Sequence, residues 1–197
     1  METYYRLLVI ILICIPFALI GQQEKREFSL IQDNKIIGEA IATKTISGVN
    51  TTYSDNTSMV IHMIAKINVS YSYDEVYVDG ELLKASVLIF VHGHEHTNAS
   101  TFKSNDFYSF KLDKDTPIKI TETIGYSTVQ LLFEEPMEVS KVYSAEHGNF
   151  QKLEKIGEHM YLKTSVDGHK NTYYYKGGHL QKAEINAGMI SLTLLKK

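Results

Sequence analysis

His92, His94 and His96 form the densest run of metal-ligating side chains in this sequence. If a strand entering at Val87 continues through them, all three project from one face, with neighbours about 6.7 Å apart. Imidazoles at adjacent same-face positions can converge on one zinc or copper ion, which leaves Glu95 on the opposite face. On a straight strand the outer pair stands about 13 Å apart, so a full site needs a bend at Gly93 or a ligand from elsewhere. The competing reading is a solvated hairpin end, in which Gly93 begins a turn and Thr97-Asn98-Ala99-Ser100 continues a polar loop. Short histidine-rich tracts of that kind often bind metal adventitiously.

Little else in the chain suggests chemistry, and the sequence points to a non-enzyme with no cofactor. Gly125-Tyr126-Ser127-Thr128-Val129 lacks the second glycine of a nucleophile elbow and has no strong strand before it. His94-Glu95-His96 is not the zinc-protease pattern, whose histidines stand four apart on a helix. Glu134 and Glu135 are adjacent at an expected helix end and read as a solvated pair. His62, between Ile61 and Met63, reads as a satisfied sheet histidine, whereas His147, His159, His169 and His179 read as surface residues of turns.

The elements that must position such residues begin after a leader. Leu7 to Ile20 is an uncharged run preceded by Arg6 and ended by Gly21-Gln22-Gln23-Glu24-Lys25. That order is the order of a secretory signal, and the run, at about 21 Å as a helix, is short for a ~30 Å hydrocarbon core. Residues 1–21 are therefore expected to be a signal peptide and residues 22–197 a single all-β domain, exported and not integral to the membrane once processed. Removing 21 of the 197 residues leaves 176, enough for a core without staples. The only cysteine, Cys14, lies in the leader. A net charge of −3, with both signs interspersed, offers no basic stripe and excludes nucleic acid as an expected partner.

The mature chain reads as strand almost throughout. Ile67, Val69, Tyr71 and Tyr73 alternate with Asn68, Ser70, Ser72 and Asp74, the period of a half-buried strand. Val87, Ile89 and Val91 continue the pattern, and the richer apolar run over residues 59–64 predicts a strand covered on both faces. Further strands are expected at residues 106–112, 118–123, 141–143, 151–156, 160–165, 172–175, 181–186 and 189–195. Turns are expected at Asp33-Asn34, Gly48-Val49-Asn50, Asp79-Gly80, Asp113-Lys114-Asp115, Asp167-Gly168 and Gly177-Gly178, where several residues tolerate positive φ. One short helix is expected over residues 127–134, capped by Ser127, with Gln130 in the capping-box position and Pro136 as its stop. Val129, Leu132 and Phe133 on one face of it would plug the end of a curved sheet. Strands in succession with short turns predict an antiparallel meander, curled into a β-roll or open barrel. A faint echo links Tyr77–Ala85 to Tyr175–Ala183, with Tyr, Gly, Leu, Lys and Ala at matching offsets, and predicts one hairpin design used twice.

Taken in order, Phe28-Ser29-Leu30-Ile31, Ile37-Gly38-Glu39-Ala40, Tyr77-Val78-Asp79-Gly80-Glu81-Leu82, Leu131-Leu132-Phe133-Glu134-Glu135-Pro136 and Asn171-Thr172-Tyr173-Tyr174-Tyr175 resemble a family of exported bacterial proteins known only as a domain of unknown function. The resemblance spans about Glu27 to the end. It implies an all-β, curled antiparallel sheet in the periplasm or at the cell surface of a Gram-negative bacterium, and it implies no activity. Four glycosylation sequons, at Asn50, Asn56, Asn68 and Asn98, read as chance in such a compartment. Three functions stay open: binding of an envelope component or partner, carriage of a lipid or other apolar small molecule in a β cavity, and metal binding at His92, His94 and His96.

Overall fold

The computed structural model describes residues 21–186, 188 and 190–197. The expected signal peptide therefore lies outside the described residues, apart from Gly21 at its end. Period-two alternation becomes strand nearly everywhere it is found. Along the third strand Tyr53, Asp55, Thr57, Met59 and Ile61 are all buried, while the alternate positions face outward. The strands are β1 (Gln22–Gln32), β2 (Lys35–Ser47), β3 (Asn50–His62), β4 (Lys66–Val78), β5 (Glu81–Val91), β6 (His94–Lys103), β7 (Tyr108–Leu112), β8 (Ile118–Ile120), β9 (Lys141–Ser144), β10 (Asn149–Gly157), β11 (Met160–Thr164), β12 (Lys170–Lys176), β13 (His179–Asn186) and β14 (Ser191–Lys196).

All fourteen form one antiparallel sheet that does not close, ordered β8-β7-β6-β5-β4-β3-β2-β1-β14-β13-β12-β11-β10-β9. Two meanders, β1–β8 and β9–β14, are thus joined at the middle by pairing of the first strand with the last. The edges are β8, only three residues long and preceded by Pro117, and the four-residue β9. Short edges with a nearby proline are poor templates for further strand pairing.

One hairpin design recurs. In β4–β5, Tyr77 faces Leu82 around the Asp79-Gly80 turn, and a bulge follows at Leu83. In β12–β13, Tyr175 faces Leu180 around Gly177-Gly178, with its bulge at Gln181, so the sequence echo marks the same register twice. The β1–β2 and β5–β6 hairpins repeat the plan around Asp33-Asn34 and His92-Gly93. Both turn residues have positive φ in all four. That is the backbone of the two-residue turn that matches strand twist, and the bulge tightens the curl.

Three expectations need correction. Residues 127–134 do not form a full helix; only Val129–Leu132 is helical, as a four-residue 3-10 turn. Ser127 makes no cap there, because its hydroxyl goes to Glu75, and Thr128 N–H donates to Tyr143 O across the sheet edge. Gln130 does return to the Ser127 N–H, at 2.7 Å, as a capping-box residue would. The run over residues 59–64 is not covered on both faces: β3 stops at His62, and Met63 and Ile64 are 44% and 107% exposed. Thr97-Asn98-Ala99-Ser100, read as continuing a polar loop, lie in strand β6, whose inward positions are the small, wholly buried Ala99 and Thr101.

Residues 121–140, carrying the 3-10 turn, run from one edge of the sheet to the other across one end of the curl. Leu131 packs into a cluster with Phe28, Leu153 and Tyr175, while Val129 and Phe133 enter a second cluster with Tyr53, Tyr77 and Leu82. Backbone bonds fasten the segment to turns at that end, from Leu82 N–H to Ile124 O at 2.8 Å and from Glu135 N–H to Gly178 O at 3.0 Å. The turns at residues 33–34, 63–65, 92–93 and 165–169 lie at the opposite end, by the alternation of strand direction.

Candidate functional site

The histidine cluster is placed by the fold at a hairpin tip. The strand from Val87 does not run through it. β5 ends at Val91, His92 (φ 53°) and Gly93 (φ 79°) make the turn, and His94 pairs back with Val91. His96 is the extra residue of the bulge, since Phe90 faces Glu95 and Ile89 faces Thr97. The one-face arrangement required for convergence on a metal is therefore not formed, and all three side chains are exposed. Among the described residues no three His, Cys, Asp or Glu side chains are grouped to hold a metal ion. His62 is exposed as well; Gln32 holds its backbone, not its ring.

Sequence reasoning left a β cavity open but named none of the residues that line it. Plugged at one end by the crossing segment, the curled sheet encloses a cavity of about 560 Å³ that opens toward the turns at the other end. That volume is in the range of small-molecule sites. Part of its wall is apolar: Leu30, Met59, Ile61, Ile89, Leu192 and Leu194. Val129 and Leu132 of the 3-10 turn form its floor.

The rest of the lining is polar and comes from both meanders. Asp55 and Thr57 on β3 stand opposite Tyr73 and Tyr71 on β4, four side chains on one inward patch. Asp55 is buried and accepts a hydrogen bond from Thr57 at 3.1 Å. Burial pushes its carboxyl up to about 7, with the Thr57 bond pulling the other way. The Tyr71 phenol is held above its ordinary value, first by burial and then by the Asp55 charge, so it remains a neutral donor. From the other meander, Glu146 accepts from the Tyr73 hydroxyl at 2.6 Å. Lys163 on β11 is buried and donates to Gln151 Oε1 at 2.5 Å. Burial draws its ammonium down to about 8 against the opposing pull of Glu146. Asn149 Oδ1, also in the wall, is buried and has no partner.

A serine–histidine contact in the wall does not make a hydrolase. Ser144 Oγ lies 3.1 Å from His147 Nδ1, and Glu146 Oε2 lies 4.0 Å from the same nitrogen. A relay needs the serine on one ring nitrogen and the acid on the other. Here the contact belongs to the turn itself, in which His147 and Gly148 N–H both donate to Ser144 O. Glu134 and Glu135, read as a solvated pair, are not equivalent. Glu134 reaches Lys44, whereas the Glu135 side chain is covered, lying against His159 Nδ1 at 2.9 Å and the Tyr161 hydroxyl at 2.8 Å.

A family described only as a domain of unknown function (DUF6134) matches residues 28–196. The chain belongs to that family. The DUF6134 chain is also similar to the crystal structure of a beta-barrel-like protein of domain of unknown function DUF1849 from Brucella abortus. The likeness covers 91% of this chain and 96% of that one at 10% identity, with a TM-score of 0.61. At such identity it concerns the fold alone. No curated protein matches. The resemblance read from the sequence, to an all-β domain of unknown function, is thereby borne out, and no helix among the described residues is long and apolar enough to cross a membrane.

Proposed function

We propose that this protein is a non-catalytic binder of a small amphipathic molecule, working after export in the periplasm or at the cell surface of a Gram-negative bacterium. One observation carries the reading: a cavity closed at one end and open at the other, lined both by apolar side chains and by hydrogen-bonding groups. Such a lining solvates a molecule with a chain and a head, and an envelope component fits that description. Of the functions left open by the sequence, carriage in a β cavity is the one this geometry favours. Metal binding at His92, His94 and His96 has no matching arrangement, and the Ser144–His147 contact lacks a relay.

Calorimetric titration with decyl maltoside, below its micelle concentration, tests the proposal. Saturable binding at one site is expected. Ile190→Trp, which fills the cavity from a partly exposed wall position, should abolish it while leaving the circular dichroism spectrum unchanged. Absence of binding to the unaltered chain would sink the idea.

A further inference from the structure

Charged groups in the cavity wall lack contacting partners of opposite sign. Lys163 and Asp55 are each more than nine-tenths buried, yet neither belongs to an ion pair among the described residues. Lys163 Nζ has one acceptor, the neutral Gln151. Asp55 has one donor, the Thr57 hydroxyl. Glu146 takes the Tyr73 hydroxyl and meets His147 only at 4.0 Å. Asn149 Oδ1 adds a buried acceptor with no donor. Glu146 pulls on Lys163 only from beyond ion-pair distance, and a buried charge with no contacting counter-charge is costly, since charges within a chain ordinarily pair or retreat to water. By contrast, a second hollow among the described residues, of about 640 Å³, is lined in part by Glu39 and Lys197, which pair with each other at 2.8 Å.

Resting on the reading of the cavity as an amphiphile site, we infer that the head group it takes is zwitterionic, its anionic group on Lys163 and its cationic group on Asp55 and Glu146. A purely anionic head would meet the carboxylates of Asp55, Glu146 and Asp167 in the same wall. A purely cationic head would leave Lys163 desolvated and unpaired. A head with both signs answers both, and the rings of Tyr71 and Tyr73, packed edge to face at 5.6 Å, add an aromatic surface beside the carboxylates that suits an organic ammonium. The chain of such a molecule lies along Leu30, Met59, Ile61 and Leu194.

Titrations with decylphosphocholine, decanoate, decyltrimethylammonium and decyl maltoside, each below its micelle concentration, separate the possibilities. Decylphosphocholine should bind at least ~10-fold more tightly than any of the others. Lys163→Met and Asp55→Asn should each bring decylphosphocholine down to the affinity that the same variant shows for decyl maltoside, with an unchanged circular dichroism spectrum to show that the fold is intact. Phosphocholine without a chain should bind at least ~100-fold more weakly than decylphosphocholine. Equal affinity for the four chains, or a preference for a singly charged one, would overturn the inference and leave the cavity reading standing. Equal affinity for phosphocholine alone would remove the amphiphile from it, and no binding by any chain would overturn both.

Discussion

At the scale of single residues, the inward positions that are not apolar are the informative ones. Glu75 is fully buried beneath the crossing segment, accepting from Ser127 at 2.5 Å and from Tyr77 at 3.1 Å, while its Oε1 has no partner. Burial pushes it up to about 7, with the two hydroxyls pulling down. A carboxyl raised in the fold contributes stability that is fully present below its ordinary value of 4.5 and lost as pH rises through about 7. Urea melts of Glu75→Gln should therefore show a flatter pH dependence between those values, with a gain above pH 7 of up to about 3 kcal/mol. An unchanged slope would show that Glu75 is not the titrating group. Gly148 offers a steric test: its φ is +63° and a Cβ would overlap the Phe110 ring, so Gly148→Ala should cost about 2–4 kcal/mol in the same melts. For the exposed histidines the expected result is silence; melts with zinc and with chelator should nearly coincide, and a midpoint lowered by chelation would restore the metal reading. The cavity was only half legible from residues. Asp55 shares the parity of Tyr53, Met59 and Ile61, and Lys163 that of Tyr161, so charged groups on inward faces were there to be seen. A period of two does not show that these faces, far apart in sequence, curl around one space.

At the scale of elements, most strands and hairpins were legible because a strand with one buried face must alternate and a two-residue turn must hold positive φ. The places where the reading broke are those where side chains carry little signal. β6 buries only Ala99 and Thr101, so its strand character comes from neighbours β5 and β7 and not from its own hydrophobicity. The competing reading starts a turn at Gly93, and the turn in fact begins one residue earlier, at His92, with Gly93 in the slot that Gly80 and Gly178 fill in the sister hairpins. His92→Asn should accordingly stabilise the β5–β6 hairpin by about 0.5–1 kcal/mol, read as a higher denaturation midpoint with an unchanged slope. The crossing segment looked helical by its spacing of Val129, Leu132 and Phe133, but its donors are claimed by the sheet edges that it bridges, and a single 3-10 turn is what remains.

At the scale of the whole molecule, the export proposed above can be tested directly. Mass spectrometry of protein from the native host should find a mature terminus near Gln22; an intact Met1 on membrane-bound material would place the leader as an anchor. Strand β1 begins at Gln22 and lies in the middle of the sheet, with Phe28 paired to Ala40 on one side and to Lys196 on the other. Apart from β1 and β14, every strand pairs only with strands adjacent to it in sequence. A chain that emerges from its N-terminus can thus lay down β1–β8 ladder by ladder, and later β10–β13, through local contacts that form fast. The seam between β1 and β14 must wait for the last six strand residues, Ser191–Lys196, because no earlier segment supplies them. Until then the first strand made is an open edge at the centre of an unfinished sheet, the kind of edge that invites a wrong partner. Completion of this sheet is a closing event, slow relative to the hairpins that precede it and timed by the arrival of β14.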